Sequence, residues 1–193
     1  RGVSSHGQLW TDQVSKDNSG LAMQDLLSAI DDISAEPYVD EERLGCVGAS
    51  FGGFSVNWLA GNHEGRFKAF ISHCGVFQEE MMYFTTEEMF FQHYETGGAP
   101  WEKDNPVAMN SYAGSPHHFV KNWDTPIMFM QGEHDYRIPY TQGMAAFNTA
   151  QMLGIPSRML FFPSETHFVL SPQNGILWQR EFKGWLDRWL MPA

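Results

Sequence analysis

Cysteine and positive charge are both scarce in this sequence. Two cysteines, Cys46 and Cys74, cannot build a disulfide framework, and each sits in an apolar, strand-like stretch where a free thiol packs as a small hydrophobe. They leave the redox compartment open. Twelve Lys and Arg against 23 Asp and Glu give a net charge of −11, spread along the chain with no polybasic patch, which argues against nucleic acid and anionic membrane surfaces as partners. No run of eighteen apolar residues occurs and no signal-like segment follows Arg1, so no stretch is expected to enter a membrane. Internal repeats and low-complexity tracts are also absent, and 193 residues suit one ordinary domain.

Aromatics are abundant: 15 Phe and 7 Trp, with 11 Met, suit a large core and an apolar pocket. Met23, Leu26, Leu27, Ile30 and Ile33 fall at helical spacing and predict an amphipathic helix ending before Pro37. Compact apolar runs at 44–49, 67–75, 126–131 and 158–162 read as buried strands, with helices expected over 51–60 and 142–153. Phe182, Trp185, Leu186, Trp189 and Leu190 mark a closing amphipathic helix. The stretch from Glu79 to Ser115 mixes aromatics with Gly and Pro and reads as one irregular insertion. Short buried strands alternating with helices imply an α/β fold with a mostly parallel sheet covered on both faces, where chemistry sits just after each strand.

Three strand ends carry reactive groups. Gly48-Ala49-Ser50-Phe51-Gly52, with Gly53 beyond, links a strand to a helix, the context that makes G-x-S-x-G a nucleophile elbow. Ser50 is the candidate nucleophile, and the Phe51 amide at the helix start is a candidate oxyanion donor. Asp135 follows the strand at 126–131, and Ile138-Pro139 turns the chain away beyond it; Glu133 and His134 are equally polar competitors. His167 follows the strand at 158–162. The order Ser, Asp, His is that of the α/β-hydrolase triad. His117 and His118 read as a solvated pair, His73 as a strand residue, and His6, His63 and His93 as surface or loop positions. No H-E-x-x-H and no Cys/His pair at ligand spacing occurs, so neither a metal nor another cofactor is expected.

The sequence resembles the prolyl oligopeptidase family of serine peptidases, within it the dipeptidyl-peptidase 5 and acylaminoacyl-peptidase branch. The resemblance runs through Arg1-Gly2, Tyr38-Val39-Asp40, Arg43-Leu44-Gly45, the elbow with Asn57-Trp58-Leu59-Ala60-Gly61, and Arg66-Phe67-Lys68-Ala69. It continues through Ser115-Pro116, Thr125-Pro126, Gly132 to Pro139, and Phe162-Pro163 leading to His167. Phe51, Gln131 and Phe168 depart from the Tyr, His and Gly usual in the family. The resemblance implies that residues 1–193 are the C-terminal part of an α/β-hydrolase peptidase domain. The early sheet strands, a β-propeller, a second oxyanion donor and carboxylates for a substrate amino terminus would then lie upstream. It also implies peptide substrates, an acyl-enzyme mechanism, a periplasmic or secreted location and the option of a homo-oligomer. Val76, Met82 and Ile138, with Phe51, are expected to line an apolar pocket for the residue before the scissile bond (P1). A carboxylesterase or lipase-like hydrolase shares the same elbow and triad, and a non-catalytic hydrolase-like binding module shares the fold.

Overall fold

Alternation within the strands decides the architecture. The computed structural model describes residues 1–191 and forms α1 (Gln8–Asp12), α2 (Leu21–Ser34), β1 (Gly45–Ala49), α3 (Phe51–Leu59) and β2 (Ala69–His73), then α4 (Glu79–Thr85), α5 (Met89–Thr96) and α6 (Pro106–Ala113). Next come β3 (Ile127–Gly132), α7 (Thr141–Met152), β4 (Ser157–Phe162) and α8 (Pro172–Leu190). The four strands form one parallel sheet in the order β1-β2-β3-β4, with Ala49 opposite His73 and His73 opposite Met130. Because strand side chains alternate between faces, Phe70, Ile127 and Phe129 pack against α2, α3 and α7 on one side. Ile71, Met128 and Met130 meet Trp178, Phe182, Trp185 and Leu186 of α8 on the other. Trp185 also donates its indole N–H to the Phe70 carbonyl at 3.1 Å, which gives the aromatic layer a fixed depth.

The expected strands and helices form, and the differences have local causes. β2 begins at Ala69 because the Phe67 N–H is taken by His63 Nδ1 at 3.2 Å, and it stops at His73 because Cys74 turns to φ +40°. His63 stands in a loop, one of the two placements expected of it (surface or loop), but is a buried structural residue, 3 % exposed. His117 is likewise half-buried and paired with Ser115 Oγ at 2.8 Å, so the 117/118 pair is only partly solvated.

The Glu79-to-Ser115 stretch is helical rather than irregular. Its Gly and Asn-Pro positions separate α5 from α6: Gly97 ends α5 in the left-handed region at φ +75°, and Asn105 Oδ1 caps α6 by accepting from Val107 and Ala108 N–H. Among the described residues no helix is long and apolar enough to cross a membrane.

β1 is an edge strand whose exposure is unusual for a parallel sheet. Gly45, Val47 and Ala49 are exposed, Val47 by 46 %, and beside the strand runs an open groove of about 550 Å³ lined by Met23, Leu26, Cys46, Val47 and Phe51. Strands of parallel sheets are ordinarily buried on both faces, and an uncovered edge leaves a row of unpaired backbone groups.

Candidate active site

At the carboxyl end of β1 the chain makes the turn that the glycines demand. Ser50 sits at φ 60°, ψ −120°, a conformation that costs a side-chain-bearing residue of order 1–3 kcal/mol and persists only where the surroundings enforce it. The enforcement is visible. Ser50 N–H donates to the His73 carbonyl at 3.0 Å, and the Ser50 carbonyl accepts from Phe54 N–H at 2.9 Å, opening α3. A Cβ on Gly48 would lie 2.3 Å from the Gly52 carbonyl oxygen, and one on Gly53 would lie 2.5 Å from Gly75 Cα, so strand and helix approach only because both residues are glycine. Phe51 is the first residue of α3; its N–H has no acceptor within the helix and is free to meet an anion. Its ring stacks on Phe54 with centroids 5.6 Å apart.

The β3 and β4 ends are clamped to each other. Glu133 N–H bonds the Phe162 carbonyl at 3.0 Å and His134 N–H bonds the Glu165 carbonyl at 2.9 Å. A Cβ on Gly132 would lie 2.2 Å from the Thr166 carbonyl oxygen, so this close contact requires glycine. Glu133 and His134 point to solvent, and Asp135 alone turns inward, 1 % exposed. Its Oδ1 accepts from Arg137 N–H at 3.1 Å and Ile138 N–H at 2.9 Å; its Oδ2 accepts from Gln131 Nε2 at 3.3 Å and pairs with His167 Nδ1 at 2.8 Å. A carboxylate can only accept, so Nδ1 carries the proton and Nε2 is left with its lone pair outward. The sequence marked Gln131 only as a departure from a family pattern. In the structure its fully buried amide braces the carboxyl that orients the imidazole.

His167 Nε2 faces Cys74 Sγ at 4.0 Å, and the thiol also lies 3.8 Å from the His167 carbonyl oxygen. Among the described residues the Ser50 hydroxyl has no hydrogen-bond partner. Ser50 and His167 therefore meet at one corner, bridged by the His73-Cys74 segment, without a direct bond. Burial pushes the Cys74 thiol up to about 12, which makes it a poor nucleophile, and burial pushes His73 down to about 4, so it stays neutral. Cys74, Asp135 and His167 are close enough to share one metal ion, but Asp135 Oδ2 and His167 Nδ1 already hold each other.

The residues expected to form a pocket come together. Val76, Met82 and Ile138 are buried in one cluster with Phe54, and with Ser50 and Phe51 they line a cavity of about 630 Å³. The loop carrying His167 is anchored by Glu165, whose carboxylate accepts from Leu170 and Ser171 N–H and from Asn174 Nδ2 at the start of α8. These bonds hold its pKa down to about 2. Since the folded value lies below the ordinary 4.5, the stability it contributes is fully present above about pH 4.5 and fades as pH falls toward 2. Urea midpoints should show Glu165→Gln less stable than the wild type at pH 6 and the difference shrinking steadily by pH 3; a constant difference would assign the loss to packing.

Residues 1–192 match the prolyl oligopeptidase family, Peptidase_S9. The chain belongs to that family. It is 57% identical over 189 residues to dipeptidyl-peptidase 5 of Porphyromonas gingivalis, covering 98% of this chain and 28% of that protein. To dipeptidyl-peptidase 5 of Schizosaccharomyces pombe it is 37% identical over 187 residues, covering 96% and 27%. An acylaminoacyl peptidase solved in complex with Z-Gly-Gly-Phe-chloromethyl ketone superposes with a TM-score of 0.89 at 26% identity, over 100% of this chain and 31% of that one. The chain thus spans under a third of the length of these family members.

Proposed function

We propose that this chain carries the acyl-transfer centre of a serine peptidase that hydrolyses peptide bonds through an acyl-enzyme, as a dipeptidyl- or acylaminoacyl-peptidase preferring an apolar P1 residue. The observation that carries the reading is the Asp135–His167 bond of 2.8 Å at the same sheet corner as the elbow serine. In the reaction His167 Nε2 takes the Ser50 proton as Oγ attacks the carbonyl carbon, and the imidazolium is stabilised by Asp135. The oxyanion is held by the Phe51 N–H. His167 then returns the proton to the leaving amine, the C–N bond breaks, and a water activated by the same imidazole releases the acyl group. The Ser50-to-His167 bond is expected to close when substrate fills the corner, since catalytic hydrogen bonds often tighten only in the Michaelis complex. Val76, Met82 and Ile138 form the apolar wall that receives P1.

Three substrates separate this reading from its rivals: a dipeptidyl anilide, its N-acylated counterpart and an aryl ester of a short fatty acid. Turnover of either anilide supports a peptidase. Ester hydrolysis alone would favour a carboxylesterase, and inertness toward all three a binding module.

The exposed β1 edge is the natural place for further strands of the sheet, and we take the additional length of the relatives to provide them, together with the second oxyanion donor and a β-propeller. On that basis the 193-residue chain expressed alone should self-associate or aggregate through β1. It should also turn over peptides at least about 10²-fold more slowly than the natural polypeptide that carries it, the usual loss for one missing oxyanion donor. Size-exclusion chromatography with parallel rate measurements checks this; a monomer of undiminished activity would overturn it.

A further inference from the structure

Cys74 and His167 stand 93 residues apart in the chain, so no sequence spacing shows them as a pair, yet the fold brings Cys74 Sγ to 4.0 Å from His167 Nε2. The sulfur belongs to the turn that leaves β2 and has the Ser50 backbone N–H beside it; the imidazole belongs to the loop that leaves β4. With Asp135 they are, among the described residues, the one group of three or more metal-ligating side chains whose ligand atoms lie within 4.8 Å of one another.

The three do not play equal parts. Asp135 Oδ2 is engaged with His167 Nδ1 at 2.8 Å, so its effect falls on the imidazole, keeping the proton on Nδ1 and the lone pair on Nε2. A carboxylate on the far ring nitrogen is the usual support of a metal-ligating histidine, because it fixes the tautomer and makes the free nitrogen more basic. What prepares His167 to take the Ser50 proton therefore prepares it equally to ligate a metal. Facing the lone pair is a sulfur only 2 % exposed, held loosely by the His167 carbonyl oxygen at 3.8 Å. The distances fit a shared ion. With Zn–S about 2.3 Å and Zn–N about 2.0 Å at a tetrahedral angle, the two ligand atoms of one zinc stand roughly 3.5 Å apart, so a movement of about 0.5 Å from the present 4.0 Å completes the pair. Sulfur with imidazole suits zinc and other soft or borderline cations, whereas Mg²⁺ and Ca²⁺ take oxygen ligands. Ser50 and His167 are both partly exposed, which gives an ion a path in and leaves its remaining positions open to water.

We propose that Cys74 Sγ and His167 Nε2 form a zinc site at the catalytic corner, and that an ion bound there inhibits the enzyme reversibly. Zinc occupies the lone pair that would accept the Ser50 proton, so acylation stops. Binding exchanges the S–H bond for a Zn–S bond and releases that proton to solvent, with no change of oxidation state. Burial keeps Cys74 protonated in the free protein; the ion supplies the positive charge that makes the buried thiolate tenable. The inhibition rests on the peptidase reading, whereas the site does not.

The test uses the natural polypeptide that carries this chain, as wild type, Ser50→Ala, Cys74→Ser and Cys74→Ala. Cobalt(II) probes the ligands, because a thiolate on cobalt gives a near-ultraviolet charge-transfer band that oxygen and nitrogen ligands lack. The band should appear in the wild type and in Ser50→Ala, and the wild-type-minus-Cys74→Ser difference spectrum should contain it; a flat difference overturns the site. Zinc should inhibit anilide hydrolysis, with activity restored by a chelator, and Cys74→Ser should raise the half-inhibiting zinc concentration about 100-fold or more, since losing even a supporting outer-shell group costs about 10- to 100-fold in affinity. Equal zinc sensitivity in wild type and Cys74→Ser would put the inhibitory ion on other ligands and overturn the proposal. Metal-free labelling by an uncharged fluorophosphonate controls for folding. Should Cys74→Ser lose it, Cys74→Ala takes its place; should both lose it, the wild-type spectrum decides, the band supporting the site and its absence overturning it. A wild type that shows the band yet neither labels nor hydrolyses would support the site and overturn the peptidase reading, an outcome distinct from an active enzyme indifferent to zinc, which overturns the proposal alone.

Discussion

Replacing Ser50 with alanine is expected to abolish labelling by a fluorophosphonate and to lower peptide hydrolysis by a factor on the order of 10⁶, the loss seen when the nucleophile of an intact triad is removed. Other serines near the corner cannot substitute. Ser55 Oγ is spent on the Phe51 carbonyl at 2.9 Å and Ser72 Oγ on the Gly53 carbonyl at 3.2 Å, and both are buried. Neither is hydrogen-bonded to His167. The same position makes a second, structural forecast. Because Ser50 is held at φ 60°, ψ −120°, alanine keeps the strain of a Cβ there and glycine relieves it. Ser50→Gly should therefore be as inactive as Ser50→Ala yet unfold at a higher temperature. Mass spectrometry of the labelled wild-type protein fixes the residue; a label on any other serine would move the nucleophile, and a Ser50→Ala variant that still turns over would remove it from the mechanism.

That Ser50, Asp135 and His167 follow strands ending at one sheet edge was readable in the sequence for a definite reason. In a parallel sheet every strand delivers its carboxyl end to the same edge, so a Ser, an Asp and a His that each follow a separate apolar run are brought together by topology before any contact is known. The elbow was readable because a residue at positive φ between a strand and a helix leaves a glycine signature, Gly48, Gly52 and Gly53. What stayed hidden depends on tertiary packing. Nothing in the run Ile71-Ser72-His73-Cys74 distinguishes the thiol that faces His167 from any other buried cysteine. The burial of His63 stayed hidden because one of its two partners, Thr125 Oγ1 at 3.3 Å, lies 62 residues further along the chain. The 79–115 stretch looked irregular because its helices are only seven or eight residues long, so their caps outnumber their repeats. Glu79 stands among six acidic residues between 79 and 102, and only the fold shows that it is buried against the cavity of Ser50.

Asp135→Asn should lower turnover by about 10⁴-fold while leaving the fold in place, the magnitude of the same change in the best-known triad. The hydrogen bonds around Asp135 say why. Its Oδ1 is fixed by two backbone donors, Arg137 and Ile138 N–H, so an asparagine carbonyl oxygen is held there and its NH₂ group must take the place of Oδ2. That group now points a donor at His167 Nδ1, where the wild type offers an acceptor 2.8 Å away. The imidazole is driven into the tautomer with its proton on Nε2, which can no longer accept the proton of Ser50. The same NH₂ group also confronts the amide of Gln131, a donor 3.3 Å from Oδ2, so the asparagine side chain should be less comfortable than the carboxylate but still seated by its two backbone bonds. The expected signature is a collapse of kcat and of the fluorophosphonate labelling rate, with KM and the thermal midpoint moving little. Were the variant to retain most of its rate, the imidazole would have another orienting partner, and the Asp135–His167 pair would be a structural contact between two loops.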